Sequence, residues 1–245
     1  MGVTEISEDG FLNGRLRARQ LARGFRSGLD AVILAAAVPA KRGDRVLELG
    51  SGAGVASLCL AARVPDCAIT GVEIDPDLVS LANQNAVANG MASFVRFVQA
   101  DVLSPPPELR STFDQVLCNP PFHHAAGDTS PNEWRAQALQ DTGDLLRWLE
   151  CGIKRTASNG TFSVILRADR LNQALAAFPD HGVSIFPLWR KRNEPAKRVL
   201  TQLRPGKRTP FALLPGLVLH EEDGSYTSAA DAILRGGSAL HIGIL

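Results

Sequence analysis

Arg45-Val46-Leu47-Glu48-Leu49-Gly50-Ser51-Gly52-Ala53-Gly54-Val55 is the stretch that decides the fold. Its first five residues form a short apolar run that ends in glycines, the pattern of a buried strand, and Val55–Arg63 continues with helical character. Glycines between a strand and a helix let the backbone approach a ligand closely and aim helix N-terminal amides at it. Their spacing separates two ligand classes. A dinucleotide fingerprint reads GxGxxG and faces a pyrophosphate. Here the order is Glu48-x-Gly50-x-Gly52-x-Gly54. A carboxylate ahead of the turn disfavours a pyrophosphate and favours an ammonium group.

Outward from this turn the chain alternates. Residues 68–74 read as a strand, 76–89 as a helix closed by Gly90, and 94–100 as a strand. This repeated βαβ pattern predicts a parallel sheet. The Pro105-Pro106-Pro107 stretch is a rigid loop, because the core-like run Phe113–Cys118 follows almost at once. A helix is expected over residues 137–157, a strand over 161–166 and a helix over 171–178. Val183–Trp189 and Arg198–Leu203 complete the sheet, and residues 217–220 with Ser228–Leu234 make a small terminal appendage. Upstream, residues 28–40 read as an apolar helix ended by Pro39, and residues 1–14 as loosely ordered. One domain is expected: an extension and helix over 1–40, a cofactor-binding core over 41–208 and an appendage over 209–245.

Acids stand at three successive strand ends, where ligands bind in such sheets. Glu48 precedes the glycine turn, Glu73 ends the next strand, and Asp101 follows the third. Glu73 suits a pair of ribose hydroxyls and Asp101 an adenine amino group. Asp75 and Asp77 read instead as caps of the following helix. The expected cofactor side is therefore Glu48, Gly50, Ser51, Gly52, Gly54, Glu73 and Asp101. S-adenosylmethionine fits it, carrying the ammonium and no phosphate.

Asn119-Pro120-Pro121-Phe122 closes the strand at Phe113–Cys118. The Asn119 amide oxygen and the Pro120 carbonyl can accept hydrogen bonds from the two protons of an exocyclic amine, drawing the nitrogen toward a nucleophilic, pyramidal geometry. Paired prolines fix two φ angles and hold those acceptors, while Phe122 offers a flat face to a ring. These four residues are the expected catalytic set. The arrangement predicts methyl transfer to a planar nitrogen by orientation, with no dedicated base. The polar residues 123–135 that follow read as a lid.

The 245 residues carry 45% hydrophobic and 21% charged side chains, a globular composition. Cys59, Cys67, Cys118 and Cys151 form no CxxC pair, and His123-His124 lacks a partner motif. Reduced core thiols and no metal site are expected. The acidic N-terminus is unlike a signal peptide, and no apolar run is long enough to span a bilayer. The cytoplasm is the expected location. Net charge is only +1, yet half the basic residues fall in two stretches. Arg15, Arg17, Arg19, Arg23 and Arg26 form one, and Arg190, Lys191, Arg192, Lys197, Arg198, Arg204, Lys207 and Arg208 the other. If the fold joins them they make a phosphate-binding face, with Arg26, Lys197 and Arg198 the expected substrate contacts; otherwise they are unrelated solvated runs.

From about Gln20 onward the chain resembles class I S-adenosylmethionine-dependent methyltransferases, and more narrowly the bacterial family that methylates N6 of adenosine 37 in a valine tRNA. The narrower resemblance rests on Phe25-Arg26-Ser27-Gly28-Leu29-Asp30, on the Asn119 to Phe122 tetrapeptide, and on Leu217-Val218-Leu219 through Tyr226-Thr227 to the final helix. It implies a Rossmann-like α/β fold with a seven-stranded, mostly parallel sheet, an antiparallel last strand and helices on both faces. It also implies cofactor contacts from Gly50, Gly52, Glu73 and Asp101, target-amine contacts from Asn119 and Pro120, and a structured RNA, a tRNA, as partner. Phe122 departs from the family's frequent Tyr, and Leu29 from a common Thr.

Rivals remain open on the residues alone. The tetrapeptide serves equally for guanine N2 in ribosomal RNA or for a protein glutamine. The basic stretches favour nucleic acid. A catalytically silent cofactor- or RNA-binding module is disfavoured by the intact motifs, and a nicotinamide-dependent dehydrogenase by the glycine spacing.

Overall fold

A computed structural model describes residues 5–22, 26–120, 145–178, 182–207 and 210–243. The chain opens with a hairpin of β1 (Ile6–Phe11) and β2 (Leu16–Leu21), followed by α1 (Leu29–Ala37). Strand and helix then alternate through β3 (Arg45–Leu49), α2 (Val55–Arg63), β4 (Ala68–Glu73), α3 (Pro76–Ala88), β5 (Val95–Gln99) and β6 (Phe113–Cys118). Helix α4 covers residues 145–155, and β7 (Thr156–Arg167), α5 (Leu171–Ala176), β8 (Val183–Trp189) and β9 (Arg198–Leu203) follow. Two-residue strands β10 (Ala212–Leu213) and β11 (Leu217–Val218) and helix α6 (Ser228–Leu234) end the described chain.

The body of the sheet runs β8-β9-β7-β6-β3-β4-β5. Strand β9 lies antiparallel between β7 and β8, and the other neighbours in that body are parallel. This is the seven-stranded pattern with a reversed last strand; β10 and β11 add short pairings to β8. The chain winds from β3 outward to β5, then returns to β6 on the other side of β3. A crevice therefore opens at the C-terminal ends of β3 and β6, where the strand order reverses.

Two cores fill the faces. Helices α1, α2 and α6 pack with the hairpin on one, and α4 and α5 on the other. Helix α3 starts at the Asp75 cap, whose carboxylate accepts from the Asp77 amide at 2.8 Å, with Pro76 pre-set in the first turn. Helix α6 begins on Thr227, which accepts from the Ala230 amide. Cys59, Cys67 and Cys118 are buried free thiols, and burial raises the pKa of each.

Two expectations need correction. Residues 6–21 form a hairpin with a closed edge, against the expectation of loose chain up to residue 14. Leu16, Ala18 and Gln20 point inward and Arg15, Arg17 and Arg19 outward, a period of two. The free edge of β2 is satisfied by side chains of α3 and its C-cap: Asn85 pairs with the backbone N–H and C=O of Arg19, and the C-cap Asn89 with those of Arg17. Two strand residues rise about 6.6 Å and four helix residues about 6 Å, so the amides meet the edge in register. The second correction is at residues 156–160, expected as helix end and loop. Strand β7 begins already at Thr156, whose hydroxyl donates to the Gly152 carbonyl at 2.7 Å and finishes α4.

Candidate functional site

Strand register assembles the site. Leu49 pairs with Cys118 across β3 and β6, so the next residues, Gly50 and Asn119, leave the sheet side by side. Leu49 also pairs with Val72, which places Glu73 on the other side of Gly50, and Glu73 pairs with Gln99, two residues before Asp101. The glycine turn, both flanking acids and Asn119 thus share one edge of the sheet.

The turn is held from β4. The N–H groups of Gly50 and Ser51 both donate to the Val72 carbonyl, at 2.8 and 2.9 Å. Gly50 has φ +70°, and a Cβ there would come within 2.6 Å of the Trp148 indole, so conformation and space both require glycine. At Gly52 a Cβ would meet only open space. The Glu73 carboxylate is shaped by three backbone donors: Gly52 N at 2.9 Å, Ile74 N at 2.8 Å and Asp75 N at 3.1 Å. A carboxylate has about four acceptor positions, so capacity remains for a ligand. Asp101 is exposed and accepts from the Leu103 amide at 2.8 Å.

Glu48 lies deeper. It is 3% exposed, and one oxygen accepts from both the amide and the hydroxyl of Ser57 on α2, at 3.0 and 2.5 Å. Burial pushes its carboxyl up to about 7, against the opposing effect of the Ser57 hydrogen bonds, with the Glu73 charge adding to the rise. Glu48 therefore ties the glycine turn to α2 through Ser57.

At the end of β6 the situation is reversed. The Asn119 side-chain oxygen is buried without a hydrogen-bond partner, and Pro120 is buried beside it. Ser51 Oγ, on the neighbouring strand end, is buried without a partner as well. Buried polar atoms are ordinarily satisfied, so an orphan acceptor in a crevice marks a place for a donor. Pro121, Phe122, His123-His124 and the expected lid lie outside the described residues.

Of the expected substrate contacts, Arg26 pairs with Asp9 of β1 at 2.5 Å, and Arg198 with Asp30 of α1 at 2.8 Å. Asp30 opens α1 four residues after Arg26, and Arg198 opens β9 beside Arg167 at the end of β7. The start of α1 and the start of β9 therefore meet at the crevice edge, with Lys197 exposed there. Two others of the first stretch diverge: Arg17 meets Glu8, and Arg15 donates to the Gly236 carbonyl at 2.6 Å. In the second stretch Arg190 pairs with Glu194 and Lys191 with Glu222.

Trp148 was not singled out from the sequence. Its contact with Gly50 joins α4 to the glycine turn across the crevice, and only the aromatic side chain itself hints at it.

Residues 28–146 match the model of the methyltransferase small domain. A tRNA1(Val) (adenine(37)-N6)-methyltransferase of Haemophilus influenzae is 28% identical over 90% of this chain and 94% of its own length. Enzymes of the same name from Klebsiella pneumoniae and Erwinia tasmaniensis are 30% identical, over 78% and 86% of this chain and 76% and 87% of theirs. The chain belongs to this methyltransferase family. Among solved structures, a predicted O-methyltransferase from Agrobacterium tumefaciens superposes with a TM-score of 0.73 at 24% identity, covering 88% of this chain and all of that one. That likeness establishes the Rossmann-like methyltransferase fold.

The methyltransferase takes its methyl group from S-adenosylmethionine. The residues present fit that donor: Glu73 offers a carboxylate with an acceptor position to spare, and Gly52 an open face. Among the described residues there is no group of three metal-binding side chains, and no helix is long and apolar enough to cross a membrane.

Proposed function

We propose that the protein methylates N6 of an adenine in a tRNA, working as one methyltransferase domain. The observation that carries this reading is the orphaned Asn119 oxygen beside the glycine turn. An exocyclic amine supplies the missing donor. Asn119 accepts one amine proton and the Pro120 carbonyl the other, so the nitrogen lone pair is turned out of conjugation and toward the turn. S-adenosylmethionine supplies the electrophilic methyl group when bound. Glu73 holds the ribose hydroxyls and Asp101 the adenine amine of that donor; Gly50, Ser51, Gly52 and Gly54 give the close backbone surface. Asn119 and Pro120 also stabilise the positive charge that develops on the target nitrogen, which then releases its proton to water.

The relatives favour adenine over guanine N2 or a protein glutamine, since those named above are adenine(37)-N6-methyltransferases of tRNA1(Val). A tRNA substrate puts the reaction in the cytoplasm. An adenine stacked in a loop cannot bring N6 to Asn119, so it is turned out at a cost of a few kcal/mol. Phe122 stacks on the extruded base, and Arg26, Lys197 and Arg198 hold the backbone. Incubating the protein with an unmodified tRNA1(Val) transcript and methyl-labelled S-adenosylmethionine, then digesting to nucleosides, tests this. The expected product is N6-methyladenosine, absent from a transcript lacking adenine 37. Label on guanine, on protein glutamine or nowhere overturns it.

A further inference from the structure

Helix α4 carries a basic stripe that neither charge-rich stretch of the sequence includes. Arg147, Cys151, Lys154 and Arg155 recur at helical spacing along one face, with Glu150 the acid among them. Facing them is the proline-rich loop, with Leu103, Pro105 and Arg110. The two walls enclose a groove of about 230 Å³. Four cations and one carboxylate line it.

Among the described residues, Arg110, Lys154 and Arg155 are not neutralised by good ion pairs. Arg110 donates through Nε to the Pro105 carbonyl at 3.1 Å, and Arg155 through Nη1 to the Leu109 carbonyl at 3.5 Å. Both contacts fix a guanidinium and leave its charge. Lys154 stands 3.7 Å from Glu150 with both side chains largely exposed, a pair of little strength. Arg155 Nε is buried and has no acceptor.

The Leu103–Cys151 end of the groove adjoins the reaction site, while Arg110, Lys154 and Arg155 lie toward the starts of β6 and β7. Leu103 donates its amide to Asp101, and the Cys151 thiol on the other wall donates to the Val102 carbonyl at 3.1 Å. One turn earlier on α4, Trp148 touches Gly50. A polyanion crossing the crevice would therefore pass from Asn119 onto this groove. Guanidinium groups held by their backbone contacts suit phosphate oxygens, which accept two parallel N–H bonds.

Resting on the tRNA reading above, we propose that the α4 groove binds the phosphodiester backbone of the RNA substrate, on the β6–α4 side of the crevice. Arg26, Lys197 and Arg198 lie on its α1–β9 side. The RNA is then gripped on both sides of the extruded base. A double variant, Arg110→Gln with Lys154→Gln, tests the groove by binding of the full-length protein to a tRNA1(Val) transcript between 50 and 200 mM salt. Each lost phosphate contact should make the slope of log K against log salt shallower by roughly 0.7–0.9. The apparent Michaelis constant for RNA should rise several-fold, while S-adenosylmethionine affinity, which also reports an intact fold, stays unchanged. Restoring charge with Arg110→Lys and Lys154→Arg should recover most of the slope. If wild-type binding is salt-dependent and the double variant matches it in affinity and slope, the groove is not a phosphate site and the tRNA reading stands. If the wild-type protein neither binds nor methylates the transcript, the tRNA reading fails and the groove assignment with it.

Discussion

The ends of β4 and β6 border the same crevice and are finished in opposite ways. At β4, Glu73 is surrounded by three backbone N–H donors of the folded chain. At β6, the Asn119 oxygen is buried with none. Charge-assisted hydrogen bonds to a fixed carboxylate stabilise the fold, whereas a buried unsatisfied acceptor costs about 1–3 kcal/mol. On the proposed cofactor side, the Glu73 carboxylate is thus set before any ligand arrives. The proposed substrate side holds an unpaired acceptor that an amine donor would satisfy, the pattern expected where function is favoured over stability.

Asn119→Ala is the most direct way to break this contrast. Losing one preorganised acceptor should lower the methylation rate by about a hundredfold or more. Because its oxygen satisfies nothing in the fold, the melting temperature should stay within a few degrees of wild type, and S-adenosylmethionine affinity within a few-fold. Normal turnover removes Asn119 from the catalytic set; a large loss of stability would show that its oxygen has an internal partner after all.

Glu73→Ala should behave in the opposite sense, weakening cofactor affinity and the fold together. Each charge-assisted bond to a ribose hydroxyl contributes roughly 1.5–3 kcal/mol, so calorimetry should show affinity falling at least tenfold. Chemical denaturation should also show lower stability, since the Gly52, Ile74 and Asp75 amides lose their acceptor. Unchanged affinity with lowered stability would make Glu73 a loop fastener only.

Glu48 sharpens the comparison, being an acid of the same edge that is buried and partnered at once. Its carboxyl titrates at about 7 in the fold, against an ordinary value of 4.5. Between those values the folded state holds the proton more tightly than the unfolded chain, so stability falls as pH rises from about 4.5 to 7 and is level above. Glu48→Gln keeps an acceptor for Ser57 and has no charge to bury. It should therefore be the more stable protein at pH 8, by on the order of 2 kcal/mol, and lose that advantage at pH 5. Equal denaturation curves for both proteins at both pH values would contradict the burial argument.

Much of this edge was legible because it depends on local order. The glycine spacing, the acids at strand ends and the tetrapeptide all follow strands whose limits are set by apolar runs, and β3, α2, β6, β8 and β9 begin and end where the sequence places them. The register that aligns Leu49 with Cys118 then follows from parallel pairing. What escaped depends on distant contacts. The hairpin edge is closed by Asn85 and Asn89, which read in sequence as ordinary polar helix residues. Trp148 meets Gly50 only once α4 folds back on the sheet, and the α4 groove gathers Arg110 with Arg147, Lys154 and Arg155 from two separate segments. Charge counting along the chain also missed the acids of β1 and α1 that meet Arg17, Arg26 and Arg198.

Those acids set the smallest effect and the last prediction. Lys197 and Arg198 are neighbours at the crevice edge, but Arg198 is held by Asp30 at 2.8 Å while Lys197 is exposed. An exposed lysine that meets a phosphate acts mainly through counterion release, so Lys197→Ala should raise the Michaelis constant for tRNA only a few-fold and reduce its salt slope by about one contact. Turnover at saturating tRNA should not change. Arg198→Ala removes a partly buried ion pair that ties β9 to α1, so it should lower stability as well as RNA affinity. Asp30→Asn separates the two roles of Arg198: it removes the carboxylate that competes with a phosphate for the guanidinium while weakening the link to α1. If Arg198 serves the RNA, Asp30→Asn should keep or improve tRNA affinity while thermal stability falls. If tRNA affinity falls in step with stability, Arg198 acts only by bracing α1, and Lys197 is the phosphate contact on that side of the crevice.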